Sequence, residues 1–423
     1  MDWNAIFATR MNRMKASEIR ELLKLLDQPD IISFAGGIPD PALFPAQAFS
    51  QAFTAAMAPE MAPVALQYSV SEGYRPLRDW IAARMATLGV ACDADNILIT
   101  SGSQQALDYL GKLLLSPGDT ALVTWPTYLG ALGAFNAYEP RYARLDPFSN
   151  IAPETLQAEA RAAGGAVKFA YLSADFANPT GETLSRAGRE ALLDQAAALD
   201  AAVIEDAAYQ ELRFDGEAVP PILALDIARS GDIENTRTIY CGSFSKTLAP
   251  GLRVGWVCAA KSVIGRLVLM KQAADLHSAT LNQIATHHVA AAVFDDHVAS
   301  IRAVYAARRD RMLAALDREM PAGVEFTRPE GGMFVWLTLP PGIDAAELLA
   351  RAVREARVAF VPGGAFHADG SGRNTLRLSF SCATEAQIDE GIARLAGLLR
   401  AARAGVDRDA ARADKNPNKN VDA

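Results

Sequence analysis

Between residues 97 and 258 the sequence alternates short apolar runs with helical patterns, and this alternation limits the fold more than any other feature. Candidate strands are Ile97–Thr100, Ala121–Trp125, Lys168–Ser173, Ala202–Glu205, Thr238–Cys241 and Val254–Cys258. Helical patterns such as Gln104–Leu115 and Arg186–Leu199 lie between several of them. Repeated strand–helix alternation predicts an α/β domain on a mostly parallel sheet. From about Asp310 the pattern changes. It gives a helix, a turn at Gly331-Gly332, a strand at Met333–Leu339, another helix, and strands near Ala359–Val361 and Thr375–Ser379. That order predicts a smaller α+β domain.

The chain has 423 residues, beyond the usual size of about 100–200 per domain, and 50% of them are hydrophobic, enough for a sizeable core. Lys and Arg number 41 against 49 Asp and Glu, a net charge of −8, which excludes a generally basic nucleic-acid binder. Cys92, Cys241, Cys258 and Cys382 show no C-x-x-C spacing and are too sparse for a disulfide scaffold. Charges interrupt any apolar run at the N-terminus, so no signal peptide is expected, and no apolar stretch is long enough for a membrane span. The expected setting is cytoplasmic, with no membrane, nucleic acid or metal. Residues 403–423 are polar and charged without apolar periodicity and are expected to form a disordered tail.

The most informative stretch runs from Ser243 through Ser245 and Lys246 to Arg253, directly after the strand Thr238–Cys241. A lysine at a strand end, flanked by small and hydroxyl residues, can reach into a cleft and form a Schiff base with an aldehyde. Ser243, Ser245 and Arg253 supply hydroxyls and a guanidinium fork suited to a phosphate. An aldehyde and a phosphate on one small molecule describe pyridoxal 5′-phosphate. Alone, so short a string reads equally as a solvated surface loop.

Other strand ends carry matching groups. Asp206 follows the strand Ala202–Glu205 and can hold a pyridine nitrogen protonated, making the ring an electron sink. The plainer role for such a carboxylate is a cap or a core ion pair. Tyr209, three residues on, can donate its hydroxyl to the ring's phenolic oxygen. Asn178, in an Asn-Pro-Thr-Gly string that is otherwise a plain turn, can hydrogen-bond the same oxygen. Thr100 to Gln105 lie between a strand and an amphipathic helix, where free N–H groups bind phosphate or a serine simply caps the helix. Tyr128, after the next strand, can stack on a flat ring or pack in the core.

In order, SGSQQAL, WPTY, NPTG, EDAAY and SFSK…GLRVG resemble the fold-type I, class I/II aminotransferases that use pyridoxal phosphate, from about Lys15 to Cys382. The resemblance implies a large domain with a mostly parallel seven-stranded sheet and a smaller α+β domain. It divides the chain into an N-terminal segment 1–45, a large domain 46–305, a small domain 306–402 and the tail. It makes Lys246 the Schiff-base lysine and proton shuttle, and Asp206 the partner of the pyridinium nitrogen. Asn178 and Tyr209 contact the ring oxygen, and Tyr128 stacks on the ring. Ser103, Gln104, Ser243, Ser245 and Arg253 hold the phosphate. Tyr68 is similar to the tyrosine that reaches the phosphate of a neighbouring subunit, so a homodimer with shared sites is implied. Arg377 resembles the arginine that grips a substrate α-carboxylate, although one arginine in an alternating strand also fits a solvated face.

The segments ASEIRELLK from Ala16 and ISFAGGIPD from Ile32 resemble the branch of LysN-type 2-aminoadipate and kynurenine/aminoadipate aminotransferases. In that branch Ser17 and Arg20 match residues that recognise substrate side chains, and Gly37 matches a backbone position touching substrate. Ile19, Leu22, Leu23 and Leu26 form an apolar stripe, with Arg20 at its edge. A helix cap at Ser17 and a surface charge at Arg20 are the plainer reading. Ala174, Asp175, Ala177, Ala207 and Gln210 depart from the branch pattern. The implied reaction moves an amino group from an L-amino acid (2-aminoadipate, leucine-like or aromatic) to a 2-oxo acid such as 2-oxoglutarate, by ping-pong kinetics. Alternatives on the same scaffold are a lyase or decarboxylase and a non-catalytic regulatory protein. Arg377 opposes the first. Against the second stand the joint presence of Lys246, Asp206 and Arg377, and the shortness of the segment before the resembling region, about 16 residues.

Overall fold

A computed structural model describes residues 1–14, 30–146, 148 and 151–414. Seven strands form the main sheet: β2 (Ile97–Thr100), β3 (Thr120–Val123), β4 (Arg141–Arg144), β5 (Val167–Leu172), β6 (Ala202–Asp206), β7 (Thr238–Ser243) and β8 (Gly255–Cys258). Their order across the sheet is β2-β8-β7-β6-β5-β3-β4, and only β8 runs against its neighbours. Four of the strands, β2, β3, β7 and β8, read as near-continuous apolar runs, and β6 does so up to Glu205, as expected of strands covered on both faces. The fourth, β4, is Arg-Tyr-Ala-Arg at the sheet edge, with both arginines exposed. Its charges blunt the open edge and remove the apolar signal that would have predicted it.

This topology gathers one face of chemistry. The carboxyl ends of β2, β5, β6 and β7 lie along one edge, the usual ligand edge of such sheets. Because β8 is antiparallel, its first residue Gly255 pairs with both Ser243 and Thr100. Arg253, two residues earlier, is thereby delivered to the same edge.

The smaller domain carries a second sheet in the order β12-β13-β10-β9, made from β9 (Glu325–Phe326), β10 (Phe334–Thr338), β12 (Val361–Pro362) and β13 (Thr375–Ser379). Two further strands, β1 (Ile32–Ser33) and β11 (Val358–Ala359), pair in parallel and tie the N-terminal segment to this domain. One helix, Thr280–Glu319, has 40 residues and no internal glycine or proline, and it packs against both cores. The domain boundary expected at residues 305/306 therefore falls inside a continuous helix. The last helix continues from Glu385 to Asp414, past Arg403 where a disordered tail is expected. The stretch from Ala401 to Asp414 is rich in Ala, Arg and Asp, with one glycine and no proline, so helix propensity carries the backbone on without an apolar face. No described helix is long and apolar enough to cross a membrane.

Candidate active site

A cavity of about 290 Å³ opens at the carboxyl edge of the main sheet. Lys246, Asp206, Tyr209, Asn178, Arg377 and Gly37 are among the residues lining it, with Ser103, Gln104, Ser243, Ser245, Arg253 and Tyr128.

Lys246 is presented by a tight turn. After β7, the Phe244 ring packs with Trp80, Trp256 and Phe294, with ring centres 5.9, 5.0 and 6.3 Å away. The Phe244 carbonyl accepts the N–H groups of Leu248 and Ala249 at 2.9 and 3.2 Å, closing the turn. With Phe244 anchored inward, Lys246 faces the cavity and its Nζ donates to the Gly37 carbonyl at 2.8 Å. Burial, helped by the positive charges of Arg377 and Arg253, brings its pKa down to about 8. About a tenth of the amine is then neutral at pH 7, far more than for an ordinary lysine, and the neutral form is the one that attacks an aldehyde.

Asp206 ends β6 and is buried. Its Oδ2 accepts from the Tyr171 hydroxyl at 2.8 Å, while Oδ1 has no hydrogen-bond partner among the described residues. Burial raises its pKa to about 6, opposed by the hydrogen bond from Tyr171. A buried carboxylate oxygen without a donor is costly. The Asp206 carboxylate suits a protonated heterocyclic nitrogen, which would give Oδ1 its missing partner.

Arg377 comes from β13, across the cavity, and is 1% exposed. Its guanidinium lies between two rings, 4.2 Å from the centre of Phe334 and 5.1 Å from that of Phe366. Nη1 donates to Asn178 Oδ1 at 2.6 Å and Nη2 to the Ala35 carbonyl at 3.0 Å, while Nε lacks a partner among the described residues. Among the described residues no carboxylate pairs with it, and burial lowers its pKa to about 10. Such a cation is a ready receptor for an anionic group. Asn178 Nδ2 in turn donates to the Tyr209 hydroxyl at 3.5 Å, so Arg377, Asn178 and Tyr209 form one chain of contacts.

The opposite end of the cavity suits a phosphate. The helix Ser103–Leu114 is capped by Gly102, and no side chain occupies its N-terminal cap, so the simple serine cap does not form. The first N–H groups of that helix have no intrahelical acceptors. Gly102 has φ +81°, and a Cβ there would lie 2.4 Å from Arg253 Nη2. Glycine thus lets the arginine close on the turn. Ser243 Oγ and Ser245 Oγ lie 2.9 Å apart beside it.

The geometry brings twelve of the expected residues together around one cavity. Tyr68 is not among them. It is 79% exposed, edge-on to His277 with ring centres 6.1 Å apart. Ser17 and Arg20 lie outside the described residues. None of the departing residues lines the cavity. Asp175 is buried and pairs with Arg189 at 2.8 Å, and Gln210 accepts from the Tyr240 hydroxyl at 2.7 Å. Sequence reasoning missed Tyr171, Phe334, Phe366 and the Ala35 carbonyl. A hydroxyl in the apolar run Phe169–Leu172 of β5 was the available signal for Tyr171, since a buried tyrosine needs a hydrogen-bond partner.

The comparisons with known proteins agree with this geometry. The family model for aminotransferase class I and II matches residues 31–395. The chain is 43% identical to aromatic-amino-acid aminotransferase 1 of Thermococcus litoralis over 410 residues, 95% of each chain. It is also 43% identical to the 2-aminoadipate transaminase of Thermus thermophilus, covering 95% of this chain and 98% of that one. The crystal structure of the T. thermophilus α-aminoadipate aminotransferase LysN, complexed with N-(5′-phosphopyridoxyl)-L-leucine, superposes with a TM-score of 0.84 at 40% identity, covering 96% of this chain and 100% of that one. A Pyrococcus horikoshii kynurenine aminotransferase, in complex with PMP, gives 0.86 at 42% identity over 95% and 98% of the two chains.

The chain belongs to the class I and II aminotransferases. It is a transaminase that uses pyridoxal 5′-phosphate.

Proposed function

We propose that the cavity transfers an amino group from an L-amino acid to a 2-oxo acid, with Lys246, Asp206 and Arg377 in separate roles. The observation that carries this reading is a pair of unmet hydrogen bonds: among the described residues, neither Asp206 Oδ1 nor Arg377 Nε has a partner, and both residues line the cavity with Lys246. When bound, pyridoxal phosphate supplies an aldehyde for the amino group and a ring that draws electrons from the adjacent carbon. Lys246 holds the aldehyde end and moves the proton at the substrate Cα. Asp206 keeps the ring nitrogen protonated, and Tyr171 keeps Asp206 ionised. Asn178 and Tyr209 orient the ring oxygen, and Tyr128 covers the ring. Ser103, Gln104, Ser243, Ser245 and Arg253 take the phosphate. Arg377 pairs with the substrate α-carboxylate and Asn178 holds its fork in place.

Ser17 and Arg20 are assigned to the substrate side chain, and the Gly37 backbone to a contact with the substrate. The relatives' names support donors of the 2-aminoadipate, leucine-like or aromatic type. The acceptor is assigned as 2-oxoglutarate. Tyr68, exposed in the single chain, is assigned to the cavity of a second copy, in a homodimer. The protein is assigned to the cytoplasm, and its domains to the boundaries at residues 45/46, 305/306 and 402/403. Both substrates occupying one cavity in turn gives ping-pong kinetics. The test is a donor panel of 2-aminoadipate, leucine, aromatic amino acids, alanine and glutamate. The expected result is release of 2-oxo acid, about one equivalent per site without acceptor, and turnover once 2-oxoglutarate is added. Release of carbon dioxide in place of a 2-oxo acid would contradict it.

A further inference from the structure

Lys271 is a fully buried lysine that no step above uses. It lies in the helix Lys261–Ala274, behind the phosphate end of the cavity. Its ammonium has three donors, and all of them are engaged. Nζ donates to Gln105 Oε1 at 2.9 Å, to Ser278 Oγ at 2.9 Å, and to Asp275 Oδ1 and Oδ2 at 3.0 and 3.1 Å. These acceptors lead to one place. Gln105 Oε1 also accepts the backbone N–H of Ser101 at 2.9 Å. Asp275 Oδ2 accepts from Ser101 Oγ at 3.2 Å and from Gln105 Nε2 at 2.8 Å, and Ser101 Oγ is 3.2 Å from Ser278 Oγ. The Tyr109 hydroxyl donates to Asp275 Oδ1 at 3.3 Å. On its other side the Ser101 carbonyl accepts from Arg253 Nη2 at 3.4 Å. The N–H, carbonyl and hydroxyl of Ser101 are therefore all held, two of them by groups that Lys271 binds. Ser101 and Gly102 immediately precede the helix start at Ser103, which no side chain caps.

We propose that Lys271 is a positioning residue for the cofactor phosphate, fixing the Ser101–Ser103 turn so that its N–H groups converge before the phosphate arrives. This rests on the reading that the turn takes the phosphate. Lys271 lines no part of the cavity. Its effect passes through Gln105, Asp275 and Ser278, and the ordering cost of the turn is met in the cofactor-free protein. A lysine suits this role because a buried point charge holds several oxygens at once, and each charge-assisted contact is stronger than a neutral one.

The test compares pyridoxal phosphate with pyridoxal, which carries the same ring and aldehyde without the phosphate. Both use Lys246, so only the phosphate end separates them. Dissociation constants are measured on the full-length cofactor-free protein from the visible absorbance of the bound aldehyde. Lys271→Met should weaken pyridoxal phosphate on the order of tenfold or more and change pyridoxal by less than about twofold. Asp275→Asn, at a more exposed position, should show the same selective loss at roughly a third of the size, and it serves if Lys271→Met does not fold. Equal losses for both aldehydes, or none for either, would overturn the proposal. A wild-type protein that binds the two equally would overturn the phosphate reading itself, and the proposal with it.

Discussion

The two sheets contribute to the cavity in opposite ways. The seven-stranded sheet supplies many groups from adjacent strand ends: Asp206 ends β6, Ser243 ends β7, and Lys246 and Arg253 follow within two short turns. Their spacing is set by the backbone ladder. The four-stranded sheet of the small domain supplies one charged group, Arg377, whose position depends on side chains: two aromatic rings, Asn178 and the Ala35 carbonyl. The large sheet thus fixes the groups assigned to the cofactor and to proton transfer. The small one holds a single recognition group at a place set by packing between domains. Gly181 marks that packing, since a Cβ there would lie 2.4 Å from the Phe334 carbonyl oxygen.

If that division is right, removing the lysine of the large sheet has the largest effect. Lys246→Ala should lower kcat by about 10⁴-fold or more while the protein still folds, because the proton-transfer group and the link to the aldehyde go together. Single-turnover release of 2-oxo acid checks it. Arg377→Lys, on the small sheet, should lower kcat/KM for amino acids by roughly 10²–10³-fold, since an ammonium cannot keep the planar contacts between Phe334 and Phe366. The visible band of the bound cofactor should be unchanged. A band shifted as much as in Lys246→Ala would blur the contrast between the two sheets.

The smallest effect expected is that of Tyr171→Phe. Its hydroxyl lowers the pKa of Asp206, so its loss should raise that pKa further above the ordinary carboxylate range. At neutral pH kcat should fall by only about three- to tenfold. The acid limb of the pH profile, set by an Asp206 that must stay ionised, should move to higher pH. An unmoved limb would mean that another group sets it.

The Lys246 pKa gives a second pH test. The amine of cofactor-free protein titrates near 8, below the ordinary lysine value of 10.5. Capture of pyridoxal phosphate needs the neutral amine, so its rate should rise with pH and level off above about 8. A rise continuing to about 10 would show that burial does not act on Lys246 as described.

Much of the large-sheet half was legible in sequence because its groups follow apolar strands at short intervals, as Asp206 and Lys246 do. Contacts across the cavity were less legible. Nothing local in the sequence pairs Arg377 with Asn178 and Ala35, or seats its guanidinium between Phe334 and Phe366. The edge strand β4 was missed because it is charged and half-exposed. The continuation of the terminal helix past Arg403 was missed because the sequence there lacks the apolar stripe that Ile388, Ile392, Leu395 and Leu399 give its first half. Lys271 opens the string KQAADLHSATLNQ, which resembles the same LysN-type branch but assigns the lysine no role. Its role depends on burial and on three partners that only the fold assembles.

The most direct measurement is to treat the cofactor-loaded protein with borohydride, which makes the lysine–cofactor link permanent, and to map the modified peptide by mass spectrometry. The phosphopyridoxyl group should be found on Lys246 at close to one per chain. Its presence on another lysine, or on none, would contradict the placement of the chemistry at the end of β7.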